Sequence, residues 1–248
     1  MLITIICISL NVSAVKPISP PEIELLVPDT GIVGDTQRIV DEFIRDAALC
    51  GIKIVPTYTT WGDAINRMLA GDFDILHFAG LVGAFEDSFT YIYETLCFHF
   101  VWNDFWNYTS MEFIDKIELM YSLYLGGFID DAIEIFHEIE LVIYEDQPFA
   151  PICYELRDDG QIYTRYLFIN CDEAGPLGDA TIRVALSYLI DRVLYIELYG
   201  DYSIGYPIAI DHLFEWSQYH DTSLPAIKHS IGKAASTLAK GGYLPAKV

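Results

Sequence analysis

Basic side chains are scarce in this chain. Fourteen Lys and Arg stand against 36 Asp and Glu in 248 residues, for a formal net charge of −22. A surface of that sign repels phosphate backbones and excludes nucleic acid as a partner, while it keeps an apolar chain soluble and tolerates cationic ligands or a salt-rich medium. Long apolar runs are missing too: none reaches the roughly 18 residues that a membrane-spanning helix needs. The five cysteines, Cys7, Cys50, Cys97, Cys153 and Cys171, include no C-x-x-C pair. Zinc-finger and thioredoxin-like chemistry are therefore unsupported, and thiols in apolar stretches read as small hydrophobes. Also absent are a G-x-S-x-G elbow, a His pair at helical i, i+4 spacing, and a lysine that would make Gly31-Ile-Val-Gly34 a phosphate loop. The adjacent acids Asp130-Asp131 and Asp158-Asp159 read as a polar helix face and a turn. Nothing in this inventory calls for an enzyme, a metal or a cofactor.

What is present is apolar and aromatic: 52% hydrophobic and 14% aromatic residues exclude a disordered chain. Met1 to Ala14 is a short β-branched stretch that reads as a buried strand, with a degenerate signal segment as the alternative, since no basic flank precedes it. After Pro17, Pro20 and Pro21 comes a strand at Glu22 to Val27. A helix follows with Ile32, Ile39, Val40, Phe43, Ile44 and Ala47 on one face, stopped at Gly51. Strand Ile52 to Tyr58, helix Trp61 to Leu69 and strand Phe73 to Phe78 complete a β-α-β-α-β order. Short loops between alternating strands and helices imply right-handed crossovers and an open, mainly parallel sheet with helices on both faces.

Helical periodicity then runs over Glu86 to Cys97, Met111 to Tyr124 and Asp130 to Tyr144; Asp130, Asp131, Glu134, Glu138 and Glu145 form a solvated face of the last. Ile152 to Leu156 and Ile162 to Asn170 read as two strands joined by the turn Asp158-Asp-Gly160, hence as a hairpin. Asp179 is a cap for a helix over Ala180 to Tyr199 with a break near Asp191. Gly200 to Leu224 is aperiodic and reads as loop, and a last helix spans Pro225 to Lys240.

Several of these pieces carry a resemblance. Leu25-Leu-Val-Pro-Asp29, Gly51-Ile-Lys-Ile, Trp61, Gly71-Asp-Phe-Asp74 and Ile143-Tyr-Glu-Asp-Gln-Pro-Phe-Ala-Pro-Ile152 resemble the later part of the carboxy-terminal lobe of peptide and nickel (family 5) extracellular solute-binding proteins of ABC importers. Phe168-Ile-Asn170, Gly178-Asp179, Arg183, Ala185-Leu186, Ile190-Asp191-Arg192 and Ala234 to Tyr243 resemble that lobe's earlier part. Here the two parts come in reverse order. The resemblance implies one circularly permuted, type II periplasmic-binding-protein-like α/β lobe over residues 1–248, with 1–157 matching the later segment and 158–248 the earlier one. It implies a small-molecule or peptide ligand, ABC permease subunits as partners, a separate amino-terminal lobe as the opposite jaw, and an extracytoplasmic place at the cell surface, in the periplasm or at the membrane.

For ligand contact, the resemblance points to an acidic residue after strand Phe73 to Phe78, which makes Glu86 and Asp87 candidates; a helix cap is the plainer role. The aromatics Trp102, Trp106 and Tyr108 are candidates to line a pocket, with core packing as the plainer role. Arg183 and Asp191-Arg192 read as a buried ion pair or a cap. His212, His220 and His229 read as solvated loop residues. Beside the receptor stand two other readings: an interaction module that kept the fold and lost its ligand, and a small hydrolase using Glu86 or Asp87 with a histidine.

Overall fold

The computed structural model describes residues 19–29, 33–81, 88–93, 107–108, 110–156, 162–199, 208–209, 215 and 217–243. The first third follows the periodicity closely. Strand β1 (Glu22–Asp29), helix α1 (Val33–Leu49), strand β2 (Lys53–Thr60), helix α2 (Trp61–Leu69) and strand β3 (Ile75–Leu81) alternate as expected. Gly51 follows α1 at φ 81°, a left-handed turn open to glycine without strain. Then come α3 (Ser88–Ile92), α4 (Met111–Leu125), α5 (Ile129–Asp146), β4 (Phe149–Leu156), β5 (Ile162–Ile169), α6 (Ala180–Ser187), α7 (Arg192–Tyr199), β6 (Ile208–Ala209) and α8 (Ile231–Lys240).

The six strands form one sheet in the order β2-β1-β3-β5-β4-β6. The protein is thus α/β with an open sheet, but the sheet is mixed rather than mainly parallel. Only the pairs β1·β2 and β1·β3 are parallel; β3·β5, β4·β5 and β4·β6 are antiparallel. The reason lies in the joint: a hairpin must reverse direction, and β5, the returning arm, is the strand inserted beside β3. As expected from the sequence, β4 and β5 are neighbours, with Phe149 opposite Phe168 and Leu156 opposite Ile162. Pro151 sits where the register shifts before Cys153, a bulge that accommodates its missing N–H. Strands from both sides of the 157/158 joint therefore share one sheet.

Both faces of the sheet are covered. Along β1, Leu25 and Leu26 point to opposite sides, yet their exposures are 1% and 0%. Helix α1 covers the Leu25 side with Val40, Phe43 and Ala47; α2 covers the other side, where Arg67 reaches Glu24. That split is what right-handed crossovers require when the chain moves one way to β2 and back the other way to β3. On the α2 side the Phe168 ring stacks between Phe73 and Phe149, each centroid 5.7 Å away. Each ring buried this way stabilises the fold by roughly 1.5–3 kcal/mol over an exposed one.

The interrupted helix after Asp179 is as read. The Asp179 carboxylate accepts from Thr181 N–H, α6 stops at Ser187, and Asp191 starts α7 by accepting from Leu194 N–H. Two expectations are corrected. Helix α8 begins at Ile231, not Pro225, because Ser230 takes the cap position and its Oγ accepts from Lys233 N–H. Within the stretch read as loop, Ile208–Ala209 pairs with β4 as β6. Met1 to Ala14 lies outside the described residues, as does half of the helix expected at Glu86 to Cys97, of which α3 (Ser88–Ile92) is the described part.

Candidate functional site

The parallel strands β1, β2 and β3 end at Asp29, Thr60 and Leu81 on one edge of the sheet. The chain leaves β1 outward to β2 and returns across β1 to β3, so the strand order reverses beside β1; open α/β sheets bind ligands in the crevice outside such a reversal. The edge is polar and aromatic. Thr60 caps α2 by accepting from Asp63 N–H, and Thr59 donates to the Asp63 carboxylate at 2.6 Å. Tyr58 is 49% exposed and Trp61 41%. Partial burial, then the nearby Asp41 charge, hold the Tyr58 phenol above its ordinary range. Asp29, at the end of β1, is exposed.

Of the residues singled out from sequence, Glu86, Asp87, Trp102 and Trp106 lie outside the described residues. Tyr108 is buried: its hydroxyl donates to the Asp146 carboxylate at 2.6 Å and its ring meets Phe113 edge-on at 5.2 Å. Burial first, then Asp146, push its pKa upward. Its contacts tie the start of α4 to the end of α5.

Arg183 is also buried; of the ion pair or cap expected for it, it makes the cap, at the end of α5. Its guanidinium donates to three backbone carbonyls, those of Asp146 (2.8 Å), Leu177 (2.8 Å) and Gly178 (2.9 Å). A cation at the carbonyl end of α5 also meets the negative pole of that helix. Arg192 donates to Pro151 O and Ile227 O, which pins the strap before α8 to β4.

Sequence reasoning missed the histidine contacts, of which three tie distant segments to the sheet or its helices. His220 Nδ1 lies 2.6 Å from Glu140, a carboxylate on α5 whose other oxygen accepts from Asp221 N–H. Burial, partly offset by His220, raises the Glu140 pKa. His229 Nε2 lies 2.8 Å from the buried Asp46 of α1. His220 is therefore largely covered and not a solvated loop residue, whereas His229 stays exposed as expected while it bonds Asp46; both fasten the segment 217–230 to helices. His212 lies outside the described residues. Third, His77 stands in an apolar strand, with Nε2 2.9 Å from the Tyr195 hydroxyl. Burial, with the Arg165 charge nearby, pulls its pKa down to about 3, so the ring is neutral at physiological pH. A lone polar residue inside Ile75-Leu-His-Phe was the only signal for it. Among the described residues, no three His, Cys, Asp or Glu gather as a metal site, and no helix is long and apolar enough to cross a membrane.

A cavity of about 40 Å³ lies between the sheet, α1 and α7. Its inner wall is Leu25, His77, Ile152 and Leu167; Glu42, Asp46 and Asp191 stand among its lining residues. At about 10–15 Å³ per water-sized group it holds roughly three, far too few for a peptide.

No protein-family model matches the chain, and no curated protein or solved structure matches it.

Proposed function

We propose that the chain is the solute-binding lobe of an ABC-importer receptor, taking a small ligand such as an oligopeptide against the carboxyl edge of β1, β2 and β3 and passing it to membrane permease subunits. The observation that carries this reading is the reversal of strand order beside β1, with exposed Tyr58 and Trp61 and the carboxylates Asp29 and Asp63 on that edge. Helices cover both faces of the sheet, and the cavity between the sheet, α1 and α7 is too small for an extended ligand, which fits the open edge instead. Exposed rings offer broad contact at low entropic cost, and acids beside them suit a ligand's amino group. In sequence, Glu86 and Asp87 follow β3 and belong to the same proposal. The extracytoplasmic location and the permuted, type II lobe are part of it, as is a separate amino-terminal lobe as second jaw, because one jaw leaves much of a ligand hydrated.

Isothermal calorimetry with a library of short peptides tests the reading. Micromolar binding is expected, weakened about tenfold by Trp61→Ala, the cost typical of losing an aromatic anchor. Asp29→Asn is expected to weaken free-amino peptides more than acetylated ones. Flat titrations across the library would overturn it.

A second reading is favoured by a different surface. At the α4–α5 turn, Leu125 and Phe128 are 69% and 60% exposed, and the Phe128 ring lies where a Cβ on Gly126 would stand, 2.9 Å away. A presented apolar tip of this kind suits an interaction module that binds another protein and no solute. Pull-down of a partner that Phe128→Ser abolishes, with silent calorimetry, would favour it over the receptor.

A further inference from the structure

The cavity under α1 is separate from the carboxyl edge: it is lined from the middle of the strands, by Leu25 of β1, His77 of β3, Ile152 of β4 and Leu167 of β5. Its walls are apolar apart from His77 and the Tyr195 hydroxyl, while Glu42, Asp46 and Asp191 bring carboxylates to the lining. His77 bonds Tyr195 through Nε2; no bond is made by Nδ1 within the described residues, and Nδ1 is not among their fully enclosed unpartnered atoms, so it borders open space. A ring nitrogen that borders such a cavity is satisfied by a polar atom from outside the chain.

We propose that this cavity is a binding site for a small uncharged alcohol of about three or four heavy atoms, whose hydroxyl bonds Nδ1 of His77 and whose chain lies against Leu25, Phe43, Ile152 and Leu167. The class follows from the lining. A carboxylate ligand is repelled by Glu42, Asp46 and Asp191; an ammonium ligand gives up its hydration beside a neutral ring, in a lining whose carboxylates already have partners in the chain. A hydroxyl both donates and accepts, so it satisfies Nδ1 in either tautomer of His77, whereas a purely apolar guest leaves that nitrogen unpaired. Asp46 is already bonded to His229 and Arg45, Glu42 is paired with Arg45, and Asp191 accepts from Leu194 N–H, so all three carboxylates have partners within the chain. Four heavy atoms limit the affinity to no tighter than tens of micromolar.

The test uses the intact chain, 1-propanol as probe, and sodium propionate and propylammonium chloride as controls, with methyl and imidazole-nitrogen NMR as the readout. Expected are saturable shifts of the Leu25 and Leu167 methyls and of His77 Nδ1 with 1-propanol, and at least tenfold weaker effects with both ions. His77→Phe keeps the ring shape; it is expected to weaken 1-propanol at least tenfold while xenon still enters the cavity. Absence of saturable 1-propanol shifts, equal binding of either ion, an unmoved His77 Nδ1 resonance, or unchanged affinity in a folded His77→Phe chain each overturn the proposal. The wild-type titrations decide it even where the variant does not fold. Peptide binding at the carboxyl edge plays no part in them.

Discussion

Arg183→Met is the sharpest test of how the two halves of the chain are held together. The guanidinium, 4% exposed as a residue, reaches from α6 to the end of α5 and to the loop preceding α6 through three bonds of 2.8, 2.8 and 2.9 Å. Hydrogen bonds to charged groups contribute about 1.5–3 kcal/mol each, but burying a guanidinium costs several kcal/mol, so the three do not simply add. Methionine fills similar space and removes the charge, leaving three buried carbonyls without their donor. A loss of about 3–5 kcal/mol is expected, as for other broken buried charge networks. In a chain of this size that lowers Tm by roughly 6–20 °C. Equilibrium urea unfolding followed by far-UV circular dichroism measures it, with Arg183→Lys expected to fall between wild type and Met because one ammonium cannot reach all three carbonyls. Tyr108→Phe, which removes the bond to the Asp146 side chain, should couple to Arg183→Met by at least about 0.5 kcal/mol in a double-mutant cycle, since both act on the same residue. A loss below about 1 kcal/mol in Arg183→Met would refute the reasoning.

Two carboxylates should give pH dependences of opposite sign. Glu24, bonded to the Arg67 guanidinium at 3.0 and 2.7 Å, has its folded pKa below 4.5, chiefly through that bond; its contribution is present above pH 4.5 and lost as pH falls through the folded value. Glu24→Gln should therefore reduce stability at pH 7 and make the acid decline shallower. Glu140 has its folded pKa raised above 4.5 by burial, so its contribution is present below pH 4.5 and lost as pH rises through the folded value. Glu140→Gln should remove that decline; denaturant midpoints taken at intervals from pH 4 to pH 7 report both. Gly178→Ala puts a Cβ 2.8 Å from backbone atoms of Asp172 and Glu173, a clash expected to cost about 1–3 kcal/mol by thermal unfolding. Gly62→Ala in α2 meets nothing within 4 Å and should instead stabilise by up to about 1 kcal/mol.

Local pattern was enough for most elements. Trp61 to Leu69 is a helix because Ala64, Ile65 and Met68 share a face and Thr60 caps it; α4 and α5 follow from the same periodicity, and the exposed acids of α5 lie where that periodicity puts them. The β4–β5 hairpin was legible from alternation on both sides of Asp158-Asp-Gly160. Of the candidate site, only the carboxyl-edge logic after β3 was legible, since Trp61 was read as a helix start and not as a ligand contact; Tyr108 was named from its aromatic neighbours and serves the α4–α5 junction.

The sequence by itself determined the class of the protein and the faces of its elements, because turn chemistry, capping and apolar spacing act over a few residues. Only the tertiary structure decided that β5 enters beside β3 and makes the sheet mixed, that Arg183 holds carbonyls instead of a carboxylate, and which partner each of these histidines takes. Those partners stand far apart in the chain, 80 residues for His220 and Glu140, 118 for His77 and Tyr195, and 183 for His229 and Asp46. No local pattern spans such distances; packing the helices onto both faces of one sheet brings them together.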